Sequence, residues 1–200
     1  MPPVHYHHGR FPPTELDLQR LLPLVGPANA ELARYDGILS AIPNASVLLA
    51  PLTTQEAVLS SRIEGTQATF GEVLEFEAGE DASSEEKKTD IHEVLNYRAA
   101  MRHAVTQMET LPLSQRLMKG AHQVLMKGVR GQNKAPGDYR RLPNWIGPSG
   151  CTVETARFVP ASAERVPDAM SAWERYLHAD APDKLIQLAI LHAEFEAIHP

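Results

Sequence analysis

Two hundred residues, 43% hydrophobic and 22% charged, suffice for one globular domain, or a domain with a packed extension, around a real core. The formal net charge of −6 argues against the basic footprint of extended nucleic-acid binding, and no apolar run approaches the ~18 residues of a membrane span. The start, Met1-Pro2-Pro3-Val4-His5, lacks the order of a secretory signal, and the single cysteine, Cys151, forms no internal disulfide, which fits a reducing cytoplasm.

In chain order, residues 1–15 are rich in Pro and His and read as an irregular arm. His5, His7 and His8 are either metal ligands or, with no second ligand cluster in view, side chains of a mobile tail; the second reading is preferred. From Leu16 onward the spacing turns helical, through Leu18, Leu21 and Leu22 and again through Leu32, Tyr35, Ile38 and Leu39. Pro43, Asn44 and Pro51 predict breaks. Thr53 with Glu56 has the form of a capping box and Gly65 that of a left-handed stop, so a short helix is expected over about 54–64. Thr69 with Glu72 predicts a second capped helix running to about Glu77. Residues 79–89 are small and charged and read as a solvated linker. Beyond it Ile91, Val94, Tyr97, Met101, Ala104 and Met108 predict a long helix, and Ser114 caps another through Leu125, stopped by Gly128.

Between 129 and 161 Gly, Pro and Asn accumulate. Two β-prone stretches, Asn144-Trp145-Ile146 and Arg157-Phe158-Val159, flank Gly147-Pro148-Ser149-Gly150 and predict a small hairpin. Helical spacing resumes over 166–177 and from about Asp183 through Leu185, Leu188, Leu191, Phe195 and Ile198. The coarse expectation is an all-helical body with one hairpin.

His199 precedes Pro200, which disfavours the α conformation in the residue before it, so His199 is expected where the last helix gives way to a loop. A histidine there can serve as a general base near neutral pH, or merely as a terminal residue favourable to the helix dipole. Glu64 is either an exposed helix carboxylate or, with Ser60 on the same face, a functional group. Arg140 and Arg141 read equally as a source of positive field or as structural residues, and Trp145 and Phe158 as packing residues.

Three strings carry a resemblance. FEAIHP at 195–200 resembles the entry to the Fic family signature, His-Pro-Phe-x-Asp/Glu-Gly-Asn-Gly-Arg-x-x-Arg. Ser60-x-x-x-Glu64-Gly65 resembles that family's inhibitory motif, and GDYRRLPNWIG at 137–147 resembles its stretch before a flap hairpin. Order and spacing agree over about residues 20–200. The resemblance implies a Fic-like helical bundle with a small β-hairpin flap and an N-terminal inhibitory helix. In those terms the chain divides into an arm (1–15), a helical region with the inhibitory helix (16–110) and a Fic core (111–200), with the flap at about 144–159 and the catalytic helix at about 183–199.

The resemblance further implies an autoinhibited protein AMP-transferase. His199 would take the proton of a Ser, Thr or Tyr hydroxyl on a target protein, whose oxygen attacks the α-phosphorus of ATP. Glu64, presented with Ser60, would compete for the arginine that holds the γ-phosphate. Asn144, Trp145, Ile146, Arg157, Phe158 and Val159 would align the target segment by strand pairing, the alternative being an ordinary surface hairpin. Self-modification and homodimers also follow from the resemblance. The Mg²⁺-binding carboxylate, the glycine-rich anion loop and both signature arginines are expected beyond Pro200 in a longer protein, with this piece inactive alone. Open alternatives are transfer of UMP, phosphocholine or a terminal phosphate, and a non-catalytic regulatory or toxin–antitoxin module.

Overall fold

Helical periodicity shapes most of the chain in a computed structural model, which describes residues 2–63 and 65–200, the side chain of Ser46 excepted. The elements are β1 (Val4–His5), α1 (Leu18–Ser40), α2 (Ala45–Ile63), α3 (Phe70–Glu77), α4 (Glu85–Gln107), α5 (Gln115–Leu125), β2 (Phe158–Val159), α6 (Val166–Leu177) and α7 (Lys184–Ile198). A short 3₁₀ turn, Ala163–Arg165, leads into α6. The fold is therefore all-α, as the sequence predicts, with one minimal sheet among the described residues. No helix among the described residues is long and apolar enough to cross a membrane. Two compact units share the chain, one made of Met1–Ile38 with Tyr139–Pro200, the other of Leu39–Asp138.

The 39–138 unit is built from α2 to α5. Its core is Ala57, Val58, Ala68, Val73, Ile91 and Val94, contributed by α2, α3, α4 and the turn between α2 and α3. Thr69 caps α3 in the expected capping box: its side chain accepts from the Glu72 N–H, and Glu72 accepts from the Thr69 N–H at 2.7 Å. Ser114 likewise caps α5.

Two boundaries differ from expectation. α2 starts at Ala45 and carries Pro51 inside it, so Thr53 is no cap; its hydroxyl, like that of Thr54, donates back to a carbonyl four residues earlier. Proline at 51 removes only the bond to the carbonyl of Val47, an exposed residue whose carbonyl water can serve. The supposed linker 79–89 is partly helix, because Ser84 caps α4 and Glu85 and Glu86 sit favourably at its positive end.

Gly65 is the predicted left-handed stop at φ 99°. Its N–H donates to Arg62 and that of Thr66 to Ser61, the paired bonds of a Schellman ending. A polar clamp holds the turn that follows. Buried Asp90 accepts from the Gln67 N–H at 2.7 Å and from Arg130 at 3.0 Å. Glu93 accepts from the Thr66 hydroxyl at 2.8 Å and from Arg130 at 2.7 Å.

In the unit formed by 1–38 and 139–200, α6 and α7 lie against each other. Gln187, Leu191, Glu194 and Ile198 form the buried face of α7, spaced at about one or two helical turns. Trp173 of α6 donates its indole N–H to the Leu191 carbonyl at 2.8 Å, and buried Gln187 donates to Tyr176 and Ala179 at the end of α6. Asp183 caps α7, accepting from the Leu185 and Ile186 amides.

The arm is not the irregular tail that its composition suggests. β1 pairs in parallel with β2, Val4 opposite Phe158 and His5 opposite Val159. The Tyr6 amide then donates to the Val159 carbonyl at 2.9 Å. No group of three His, Cys, Asp or Glu side chains among the described residues is placed to hold a metal, and His7 instead meets a carboxylate.

Candidate functional site

α7 ends where Pro200 forbids its continuation, and the last residue before that proline takes a left-handed conformation. His199 has φ 50° and ψ 62°, while its N–H still donates to the Phe195 carbonyl at 2.9 Å. The helix therefore fixes the histidine backbone, and the turn presents its exposed imidazole.

Helix ends leave carbonyls without partners, and one side chain serves those of α7. Arg140 donates from Nε to the His199 carbonyl at 2.7 Å and from Nη2 to the Ile198 carbonyl at 3.1 Å. The same guanidinium reaches the carbonyls of Ala161 and Leu142. Of the two readings open for Arg140, the structural one holds: the fork joins the end of α7 to the segments on either side of the hairpin. Burial lowers its pKa, and Glu164 opposes that effect.

The predicted hairpin is present in reduced form. Ile146 and Phe158 make an antiparallel bridge, with the Ile146 N–H donating to Phe158 at 2.9 Å. Arg157 and Phe158 both donate to the Ile146 carbonyl, the two-against-one pattern of a β-bulge. Gly147 opens the turn in a tight place: a Cβ there would lie 2.7 Å from Cys151 Sγ and 3.3 Å from the backbone of Ala156 and Arg157, so a larger residue would have to displace the cysteine side chain. Trp145 is 41% exposed rather than packed away, and its indole N–H closes the turn on the Cys151 carbonyl at 2.9 Å. Phe158 is half-buried.

Asn144, at the entry to the hairpin, reaches the imidazole. Its side-chain nitrogen lies 2.7 Å from His199 Nδ1, while its Oδ1 is buried without a hydrogen-bond partner. Of the residues read as flap, Asn144 is thus the one whose side chain meets the histidine; Ile146, Arg157, Phe158 and Val159 contribute backbone pairing.

Ser60 lies on α2 and donates its hydroxyl to Glu56 Oε1 at 2.6 Å. Glu64 lies outside the described residues. The predicted Ser60–Glu64 constellation is therefore represented by Ser60 alone.

Sequence reasoning missed Glu194 and Tyr6 and assigned His7 to a metal or a mobile tail. Glu194, 3% exposed, receives the Tyr6 hydroxyl at 2.5 Å and His7 Nε2 at 2.8 Å. Burial, then the neighbouring carboxylate, raises the Tyr6 phenol well above its ordinary value. The signal was available: Glu194 falls in the register of Leu191 and Ile198, and a carboxylate on a buried face needs donors.

Family models describe most of this length. The Fic/DOC family N-terminal model matches residues 22–106, and the Fic/DOC family model matches residues 112–200. The crystal structure of a Fic family protein from Desulfovibrio desulfuricans G20 aligns with a TM-score of 0.66 at 23% identity, over 94% of this chain and 54% of that one. A Fic domain containing signaling protein from Bacteroides thetaiotaomicron VPI-5482 aligns at 0.58 and 17% identity, over 86% of this chain and 59% of that one. The chain thus spans little more than half the length of these solved structures, and at such identities they establish the fold alone.

Proposed function

Because the chain belongs to the Fic/DOC family, we propose that it serves protein AMP transfer, with His199 as the general base and the helix ending in Ser60-x-x-x-Glu64-Gly65 as an inhibitor. What supports this reading is the junction at the end of α7. One arginine pins the backbone of His199, and the hairpin that would receive a target segment touches its imidazole.

In the reaction, the imidazole removes the proton from a Ser, Thr or Tyr hydroxyl of the target. The freed oxygen forms a bond to the α-phosphorus of ATP, the bond between that phosphorus and the bridging oxygen breaks, and pyrophosphate leaves. The work of this chain is positional: a fixed base and an aligned target replace the search of two molecules for a reactive geometry. Strand addition at the hairpin orients the target by its backbone, which allows many side-chain sequences around the hydroxyl.

No residue of this chain is assigned to Mg²⁺. Among the described residues no three metal-ligating side chains converge, and no step is assigned to the ion. The sequence also contains no Gly-Asn-Gly-Arg string to hold phosphates. Activity is accordingly assigned to the full-length protein, and the 200-residue chain alone is expected to show no Mg²⁺-dependent ATP affinity by titration. Tight binding would contradict that assignment.

The inhibitory role of Glu64 rests on its motif. A carboxylate competes for a phosphate-binding arginine through two parallel charged hydrogen bonds and repels the triphosphate. Labelled ATP supplied to the full-length protein tests both assignments. Glu64→Gly is expected to increase labelling and His199→Ala to abolish it; equal labelling of both and the unmodified protein overturns the reading. Label arriving from UTP or CDP-choline instead of ATP would redirect it to another phosphate-containing group.

A further inference from the structure

The contact between Asn144 and His199 poses a chemical question that the general-base reading leaves open, namely which ring nitrogen holds the proton. A neutral imidazole has one N–H and one lone pair, and whichever group faces Nδ1 decides between them. With the Asn144 amide nitrogen toward Nδ1, that nitrogen is the acceptor, and Nε2 carries the hydrogen. A ring in that state has no lone pair at Nε2 to receive a proton. Moreover, proton uptake would put a hydrogen on both nitrogens, and donor would then face donor across 2.7 Å.

Turning the amide over exchanges two groups of nearly equal size, so packing does not choose between the placements. Either placement leaves one amide atom in the pocket that now holds an unpartnered Oδ1. The proton chemistry does choose. With Oδ1 toward the ring, Nδ1–H donates to it, Nε2 keeps its lone pair, and the same hydrogen bond survives when Nε2 becomes protonated. The rest of the junction suits such a role. Arg140 fixes the His199 backbone, His199 is exposed, and Asn144 is half-buried at the foot of the hairpin.

We propose that Asn144 is a positioning residue for His199: its carboxamide oxygen accepts the Nδ1 hydrogen and so selects the tautomer in which Nε2 is the base. This rests on the general-base reading and deepens it. The hairpin thereby performs two tasks, holding the target and setting the state of the base that acts on it.

The tautomer can be read without any turnover. Long-range proton–nitrogen correlation on the 200-residue chain, with His199 assigned through His199→Gln, distinguishes a protonated Nδ1 from a protonated Nε2. A protonated Nδ1 is expected in the unmodified chain and in Asn144→Asp, which keeps an acceptor oxygen; Asn144→Leu should shift the ring toward protonated Nε2. A protonated Nε2 in the unmodified chain overturns the proposal. In the full-length protein, Asn144→Leu is expected to lower kcat by roughly 10²-fold with little change in the KM for ATP, and Asn144→Asp to restore most of it. Wild-type kcat in Asn144→Leu, beside an inactive His199→Ala, would sink the role of Asn144 alone. Activity in His199→Ala would sink the general-base reading itself.

Discussion

Arg140 spreads one guanidinium over four carbonyls, a task that a lysine ammonium cannot copy because it lacks the planar fork. Its replacement by alanine leaves the last carbonyls of α7 without donors and frees the turn that aims His199. Arg140→Ala is expected to cost about 2 kcal/mol in urea unfolding, with Arg140→Lys recovering less than half. At Glu194 the issue is a charge removed from water. Tyr6→Phe withdraws one of its two donors, and the buried carboxylate keeps the full penalty of the lost bond. A loss of about 1–3 kcal/mol is expected by the same measurement. Both residues act by satisfying groups that the end and inner face of α7 cannot satisfy themselves.

At the scale of elements, caps matter more than propensity. Thr69→Ala removes one side of the capping box on α3 and is expected to cost about 1 kcal/mol in thermal unfolding. Ile91, almost wholly buried between α2, α3 and α4, is a different case: its truncation to alanine leaves a cavity and is expected to cost about 2–5 kcal/mol. These contrasts also explain what the sequence could disclose. The starts at Thr69, Ser114 and Asp183 were legible because a cap is a contact within four residues, whereas the equally local cap at Ser84 was masked by the charged, small-residue composition of 79–89. The start of α2 was not legible either, since Pro51 and Thr53 locally resemble a break and a cap, and only burial of Ala57 and Val58 draws the helix through them. The strand in the arm was hidden for the same reason. Val4 and His5 have no periodicity of their own, and their partners stand some 150 positions away at Phe158 and Val159. In the candidate site His199 was legible from its proline and its motif, whereas the roles of Asn144 and Arg140 depend on chain segments that meet only in the fold.

For the molecule as a whole, acid is the informative perturbation. The Arg130 hydrogen bond, followed by that of Thr66, holds the Glu93 carboxyl below its ordinary 4.5, against the effect of burial. Lys87 does the same for Glu72, helped by Thr69. Both groups bind protons less readily folded than unfolded, so their stabilisation is complete above pH 4.5 and is lost as pH falls through the folded values. The urea midpoint is expected to fall between about pH 5 and about pH 3, and Glu93→Gln with Arg130→Met to flatten that fall. The clamp belongs to the turn at Thr66 and Gln67 that directly follows Gly65. Hydrogen exchange at the Gln67 amide should therefore accelerate in the double variant before the core of the 39–138 unit opens.

On the proposed reading, in which a target peptide docks at the hairpin, the pairing of Val4 and His5 with it also limits how that peptide can enter. Phe158 spends its amide and carbonyl on Ile146, while the carbonyls of Arg157 and Val159 on the opposite rim are taken by Val4 and Tyr6. Those groups are consequently taken, and an incoming chain has three routes: it pairs along the outer rim of 144–146, it extends the sheet from the outside of the N-terminal segment, or it evicts that segment and inherits its bonds. Eviction would also strip Glu194 of Tyr6 and His7, so substrate capture and the footing of the last helix would be paid for in one event. A chain lacking residues 1–8 separates the routes, since it speeds target association if eviction is required, abolishes it if the segment is the landing strip, and leaves it unchanged if the target pairs along 144–146.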